Sequence, residues 1–144
     1  MATLTTYITY NGNCEEAFNF YKSVFGGEFS YLGRFKDMPM TDGKSCPPNE
    51  SEKIMHVSLP ISKETALSGS DSFDSFGSKT IYGNNFSLSI NAESKEEADK
   101  LFAALSAGGK AGMPMADAFW GGYFGMFTDK FGVNWMINFD KSQK

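Results

Sequence analysis

The chain contains one histidine, His56, inside the alternating segment Lys53 to Ile61. Met55, Val57, Leu59 and Ile61 fall on one side of that segment, and Ile54, His56 and Ser58 on the other. An imidazole titrating near neutrality suits a hydrogen-bonding or general-base role in a pocket, and equally a half-buried structural role. Tyr7 and Thr9 share one face of another alternating segment, where they suit ligand contact or simply an opposing sheet. Trp120 and Phe124 flank Gly121-Gly122. Glycines there allow a ligand or backbone to approach closely, or mark a tight turn. Ser87 and Ser89 lie on the polar side of 85–91, and Met136 and Asn138 on one side of the last segment, opposite Trp135 and Ile137. These nine residues, Tyr7, Thr9, His56, Ser87, Ser89, Trp120, Phe124, Met136 and Asn138, are the candidate pocket. No catalytic residue is assigned.

Other reactive groups carry less chemistry. Cys14 sits near a helix start, which can lower a thiol pKa, but it has no basic neighbour. Cys14 and Cys46 show no CxxC or Cys/His spacing, so free thiols are expected. Asp129, before Phe131-Gly132, reads as a turn-fixing carboxylate. The chain has no GxxxxGK[ST] phosphate loop and no carboxylate pair at a fixed local spacing.

The elements that must hold these residues follow from periodicity. Leu4, Ile8 and Tyr10 alternate with Thr5, Tyr7 and Thr9, a strand pattern. Asn11-Gly12-Asn13 breaks it, and Asn13 is placed to cap a helix with Glu15 and Glu16 in its first turn. Ala17, Phe18, Tyr21, Val24 and Phe25 keep helical spacing up to Gly26-Gly27. Further strands are expected over Glu28 to Phe35, Lys53 to Ile61 and Glu64 to Ser70. Asp37 to Ser51 reads as a loop suited to act as a lid, and Ser70 to Asn84 as a second loop. The order then restarts. Asn85 to Asn91 alternates; Ser94 and Glu97 make a capping box for a helix with Ala98, Leu101, Phe102 and Leu105 inside; Gly108-Gly109 ends it. Strands follow over Lys110 to Ala118, Phe119 to Asp129 and Asn134 to Phe139. The expected fold is α+β, with two βαβββ modules (about 1–78 and 79–144) in one domain. Their curved mixed sheets would enclose a shared cleft.

The totals exclude several function classes. A chain of 144 residues with 41% hydrophobic content can build its own core. Aromatics reach 15%, enough to line a core or a pocket. The net charge is −4 with no basic stripe, which argues against nucleic acid as partner. No apolar run approaches the ~20 residues that span a bilayer. MATLTTYITY lacks a basic segment followed by an apolar one, so a cytoplasmic location is expected.

The run Tyr7-Ile8-Thr9-Tyr10-Asn11-Gly12-Asn13-Cys14-Glu15-Glu16-Ala17-Phe18-Asn19-Phe20-Tyr21 resembles the opening of PhnB-like proteins. Phe119-Trp120-Gly121-Gly122-Tyr123-Phe124-Gly125 and Thr128-Asp129-Lys130-Phe131-Gly132-Val133-Asn134-Trp135-Met136-Ile137-Asn138 resemble their end. These proteins fall in the vicinal oxygen chelate (glyoxalase/bleomycin resistance/dioxygenase) superfamily. Members often carry the label 3-demethylubiquinone-9 3-methyltransferase-like, yet the chain has no Gly-rich strand-to-helix turn of the kind that holds a sulfonium cofactor. The resemblance implies homodimers, and metal ligands (His, Glu or Gln) on the first and last strands of each module. Those places hold Thr5 or Thr6, Ser68 or Ser70 near Asp71, Asn85 or Ser87, and Met136 between Asn134 and Asn138. Hydroxyl and amide donors offset the dehydration of a divalent ion poorly. The leading expectation is therefore a homodimeric protein that binds a small organic ligand with no metal and no cofactor. The alternatives are a metal-dependent glyoxalase- or dioxygenase-type enzyme, its metal held through substrate oxygens and His56, and a non-catalytic interaction module.

Overall fold

The structure, a computed structural model, describes residues 2–37, 51–72 and 80–140. The chain groups into two compact units, Met1–Ile81 and Tyr82–Lys144. Among the described residues no helix is long and apolar enough to cross a membrane.

The first unit runs β1 (Thr6–Tyr10), α1 (Cys14–Phe25), β2 (Tyr31–Arg34), a 3-10 turn (Phe35–Asp37), β3 (Ile54–Pro60) and β4 (Ala66–Asp71). Its sheet has the order β1-β4-β3-β2, with β1 parallel to β4 and the other pairs antiparallel. The apolar stripe of α1 buries Ala17, Phe18 and Tyr21. Tyr10 donates its hydroxyl to that of Tyr21 at 3.0 Å, and Phe18 meets both rings edge-on. Gly69 marks where helix and sheet come closest. A Cβ there would sit 2.5 Å from the Ile8 carbonyl and 2.8 Å from the Phe18 ring.

Asn13 occupies the N-cap of α1, but its side chain makes no capping bond. Asp71, from the end of β4, does that work instead. Its Oδ1 accepts from Gly12 N (3.0 Å) and Cys14 N (2.8 Å), and its Oδ2 from Ile54 N (2.9 Å). One buried carboxylate thus satisfies orphan donors of the helix start and pins it to β3. The Gly26-Gly27 stop forms as expected, with positive φ at both residues. β2 is shorter than its sequence pattern: it starts at Tyr31, not Glu28, and turns into the 3-10 segment at Phe35. Arg34 follows Leu32 onto the helix side, where its guanidinium grips Glu15 through both carboxylate oxygens (2.9 and 2.6 Å); the bulge lies opposite, where β3 skips Met55 between His56 and Ile54 and turns Ile54 to the same side.

The second unit runs β5 (Leu88–Asn91), α2 (Lys95–Ser106), β6 (Lys110–Asp117), β7 (Gly122–Thr128) and β8 (Asn134–Asp140). The sheet order is β5-β8-β7-β6, with β5 parallel to β8. Ser94 caps α2 by accepting from Glu97 N at 3.0 Å, while Glu97 reaches back to the Glu93 N–H. Ala98 and Leu105 are buried, and Phe102 packs edge-on against Phe127. Asp129 fixes the β7–β8 turn as its sequence position suggests. It accepts from Phe131 N, Val133 N and the Trp135 indole at 2.8, 3.1 and 2.8 Å. Two strand starts move. β5 begins at Leu88 rather than Asn85, leaving Phe86 exposed and Ser87 outside the strand. β7 begins at Gly122, because Phe119-Trp120 belong to a turn closed by Gly121 at positive φ. The weakly patterned β6 is an exposed edge strand with two bulges around Pro114, whose missing N–H an edge tolerates.

Candidate functional site

Strand register decides which side chains share a face. In the first sheet Tyr7 pairs with Ser68, Ser68 with Ser58, and Ser58 with Tyr31. Their side chains therefore project together, away from the α1 face that holds Tyr10, Val57 and Leu59. Thr9, Ser70, His56 and Gly33 lie two residues further along and join them. The face thus carries Tyr7 and Thr9 from β1, Tyr31 and Gly33 from β2, His56 and Ser58 from β3, and Ser68 and Ser70 from β4.

Three rings form a stripe across this face. Tyr7 Oη lies 3.1 Å from His56 Nδ1, and the two rings stack at 5.5 Å with an interplanar angle of 21°. Tyr31 approaches His56 from the other side, at 5.7 Å and 43°. β1 and β3 are separated by β4, about 9.6 Å at the usual strand spacing. Tyr7 can lean that far because β4 offers only the small Ser68 and Ser70 beneath it. Ser68 donates to Ser58 Oγ at 3.2 Å, so the floor under the rings is tied together. Gly33 serves Tyr31 in the same way: its bare Cα leaves the tyrosine hydroxyl 2.6 Å from where a Cβ would stand. Both tyrosines stay half exposed, at 50% and 49%.

The second sheet has its own face. Ser89 pairs with Met136, Met136 with Met126, and Asn138 with Phe124. Trp120 folds back from its turn so that its ring meets Phe124 at 5.6 Å, edge-on. The indole Nε1 and Asn138 Oδ1 both lie over Gly122, 2.6 and 3.1 Å from a Cβ built there. Trp135 and Ile137 point the other way and are buried.

Eight of the nine sequence candidates lie on a sheet face of one unit or the other. Tyr7, Thr9 and His56 come together in the first unit. Ser89, Trp120, Phe124, Met136 and Asn138 share the second. Ser87 lies before β5 and joins neither strand face. Tyr31, Ser58, Ser68 and Ser70 are not among the pocket candidates, although the sequence places Ser58 on the His56 side and Ser68 or Ser70 at the ligand place implied for the fourth strand. The pattern Tyr31-Leu32-Gly33-Arg34 and the pair Ser68-Gly69-Ser70 carried the signal, but only the strand pairing shows that they flank His56. The proposed lid over Asp37 to Ser51 lies, at 38–50, outside the described residues, as does Cys46. Cys14 is core: burial, then the nearby Asp71 and Glu15 carboxylates, push its thiol far above its ordinary pKa, opposite to activation.

The 3-demethylubiquinone-9 3-methyltransferase family model matches residues 2–138. The Escherichia coli protein YjdN is 34% identical over 97% of each chain. The chain belongs to this family. A Pseudomonas aeruginosa protein of known crystal structure is similar at 39% identity and a TM-score of 0.82, covering 97% of this chain and 98% of that one. The PhnB protein of Bacillus cereus is 25% identical with a TM-score of 0.75, over 96% and 99%. More distant likenesses show the fold alone. A glyoxylase/bleomycin resistance protein/dioxygenase domain from Frankia, 12% identical, superposes with a TM-score of 0.68. The two mixed sheets and two helices of this PhnB-like chain are that α+β fold.

The metal that such a fold implies in its enzymes can be tested against these residues. Ser68 is buried and bonded to Ser58. Asp71, the carboxylate nearest the expected fourth-strand ligand, already accepts three backbone N–H groups. Asn85 and Ser87 precede β5, and the eighth-strand position is a thioether. Among the described residues no three of His, Cys, Asp and Glu come together. One imidazole with hydroxyls, amides and a thioether does not fit a divalent cation of the zinc, iron or nickel type.

Proposed function

We propose that this PhnB-like protein binds a small organic ligand directly through side chains, without a resident metal ion, as a cytoplasmic homodimer. The observation that carries the reading is the Tyr7–His56–Tyr31 stripe, with two half-exposed rings held on a hydroxyl-lined sheet face. Aromatic walls with a few placed polar groups are the usual make-up of a ligand site. The second face, with Trp120 against Phe124 and Asn138 close by, supports the same kind of chemistry. The exposed, touching rings of Phe119 and Trp120 support self-association. The family description names methyl transfer to a demethylubiquinone. This chain's strand-to-helix turns are Asn11-Gly12-Asn13 and Ala92-Glu93-Ser94, neither of them Gly-rich, so the reading rests on binding rather than on a sulfonium cofactor.

Dialysis of chelator-treated protein against zinc, nickel, iron(II) and manganese, followed by metal analysis, tests the metal-free part. Substoichiometric metal is expected, and one tightly held ion per chain would overturn it. For the binding part, Tyr7→Ala should abolish ligand-dependent melting shifts while leaving the ligand-free melting point nearly in place. A variant that keeps full ligand response would contradict the site. Light scattering at micromolar concentration should report a dimer; monomer alone would remove that part.

A further inference from the structure

The binding reading leaves the ligand's class open, and the first sheet narrows it. None of the four strands places an Asp, Glu, Lys or Arg on the face that carries His56, although 21% of the chain is charged. Arg34, the one Arg or Lys on these strands, alternates with Gly33 onto the helix side and is held there by Glu15. On these four strands an anionic ligand finds no counter-charge, and a cation no carboxylate. Tyr7 and His56 are close to parallel at 21°, and Tyr31 is tilted by only 43°. An aromatic box needs rings set apart on either side of the cation, and Tyr7 and His56 stack at 5.5 Å with no room for a quaternary ammonium between them. Near-parallel rings with half-exposed surfaces instead offer flat contact area to another flat ring.

The imidazole supplies the polar end. Nδ1 is engaged with the Tyr7 hydroxyl, and among the described residues Nε2 has no hydrogen-bond partner. In the tautomer in which the Tyr7 hydroxyl donates to Nδ1, Nε2 carries the proton and is the ring's remaining donor.

We infer that the first-unit face takes an uncharged, planar aromatic compound that bears a hydroxyl or carbonyl oxygen. Its ring lies against Tyr7 and Tyr31, and its oxygen accepts from His56 Nε2. This rests on the binding reading above and goes beyond it in naming the ligand's shape, charge and anchoring atom.

Because His56 is the only histidine, its ring nitrogens give one set of resonances in a long-range proton–nitrogen spectrum of uniformly nitrogen-15-labelled full chain. Three matched probes separate the terms: 2-naphthol (planar, neutral), 2-naphthoate (planar, anionic) and decahydro-2-naphthol (neutral, not planar). The expected result is a saturable shift of the Nε2 resonance with 2-naphthol, and affinities at least tenfold weaker for the other two. Tyr31→Ala should weaken 2-naphthol about three- to tenfold, the range that one aromatic contact supplies. Equal binding of the three probes would overturn the class while leaving the binding reading intact. Melting shifts without any movement of the His56 resonances would place the site elsewhere, sinking this inference and the Tyr7–His56–Tyr31 site while leaving ligand binding itself in place. A broad neutral and charged library with no melting shift at all would remove the binding reading, and this inference with it.

Discussion

Replacing Asp71 by alanine should cost far more than an ordinary surface carboxylate. The side chain is 4% exposed and accepts from Gly12, Cys14 and Ile54. Gly12 is exposed, so water can replace that bond. Cys14 and Ile54 are fully buried, so their N–H groups would be orphaned. Each orphaned donor costs about 1–3 kcal/mol. Loss of a negative charge at the start of α1 adds about 0.3–1 kcal/mol. The sum is about 2–7 kcal/mol, a large part of the ~5–15 kcal/mol that a domain typically has. Asp71→Asn keeps one oxygen for Gly12 and Cys14 but turns an amide toward Ile54 N, so about 2 kcal/mol is expected. Urea unfolding followed by far-ultraviolet circular dichroism gives both numbers. The amides of Cys14 and Ile54 should lose hydrogen-exchange protection in the alanine variant. A loss under about 1 kcal/mol for Asp71→Ala would refute the reasoning. So would an unchanged unfolding curve in metal-free protein coupled to loss of a bound metal, because that is how a metal ligand behaves.

Other perturbations test other contacts. Gly69→Ala pushes a Cβ against the Ile8 carbonyl and the Phe18 ring, so a loss of about 1–3 kcal/mol is expected; an unchanged melting point would mean that α1 can lift from β4 freely. The Arg34 hydrogen bond, and secondarily its charge, hold Glu15 below its usual carboxylate pKa, against the opposing effect of burial. The folded value is therefore the lower one, and its stabilisation is present above the usual carboxylate range and fades as pH falls through the folded value. Glu15 is 45% exposed, so solvent screening keeps the effect to about 1 kcal/mol or less. Glu15→Gln should lower stability slightly at pH 7, and the difference from the parent should vanish as pH falls through the folded value, as chemical denaturation over an acid series can check. Trp135→Phe removes the indole donor to a buried Asp129 oxygen, and a loss of about 1.5–3 kcal/mol should appear in urea unfolding.

The repeated βαβββ order was legible because β1, β3 and both helices carry clean periods of two or 3.6. Gly26-Gly27 and Ser94 with Glu97 also announced themselves, since those stops and caps are local chemistry. The cap of α1 did not. Asn13 has the right residue type at the right place, but Asp71, distant in sequence, takes the bond, and only tertiary structure brings it there. Phe119 and Trp120 look like strand residues, yet the positive φ of Gly121 puts them in a turn. In the site, alternation alone put Tyr7, Thr9 and His56 on polar faces. Tyr31 escaped because its strand is short and bulged, so its alternation ends after four residues. The serines of β4 entered only as places implied by the resemblance, because small hydroxyl residues have no signature of their own; their importance lies in what leans over them.

The central claim is direct binding of an organic ligand by a metal-free protein. Thermal-shift screening of chelator-treated protein, against a divalent-metal panel and separately against a library of small organic compounds, tests it most directly, because anything that binds only the native state raises its melting temperature. The account predicts a concentration-dependent rise with an organic compound in the presence of chelator and no rise with metal alone. A rise that requires a metal ion, or that a chelator abolishes, would contradict it.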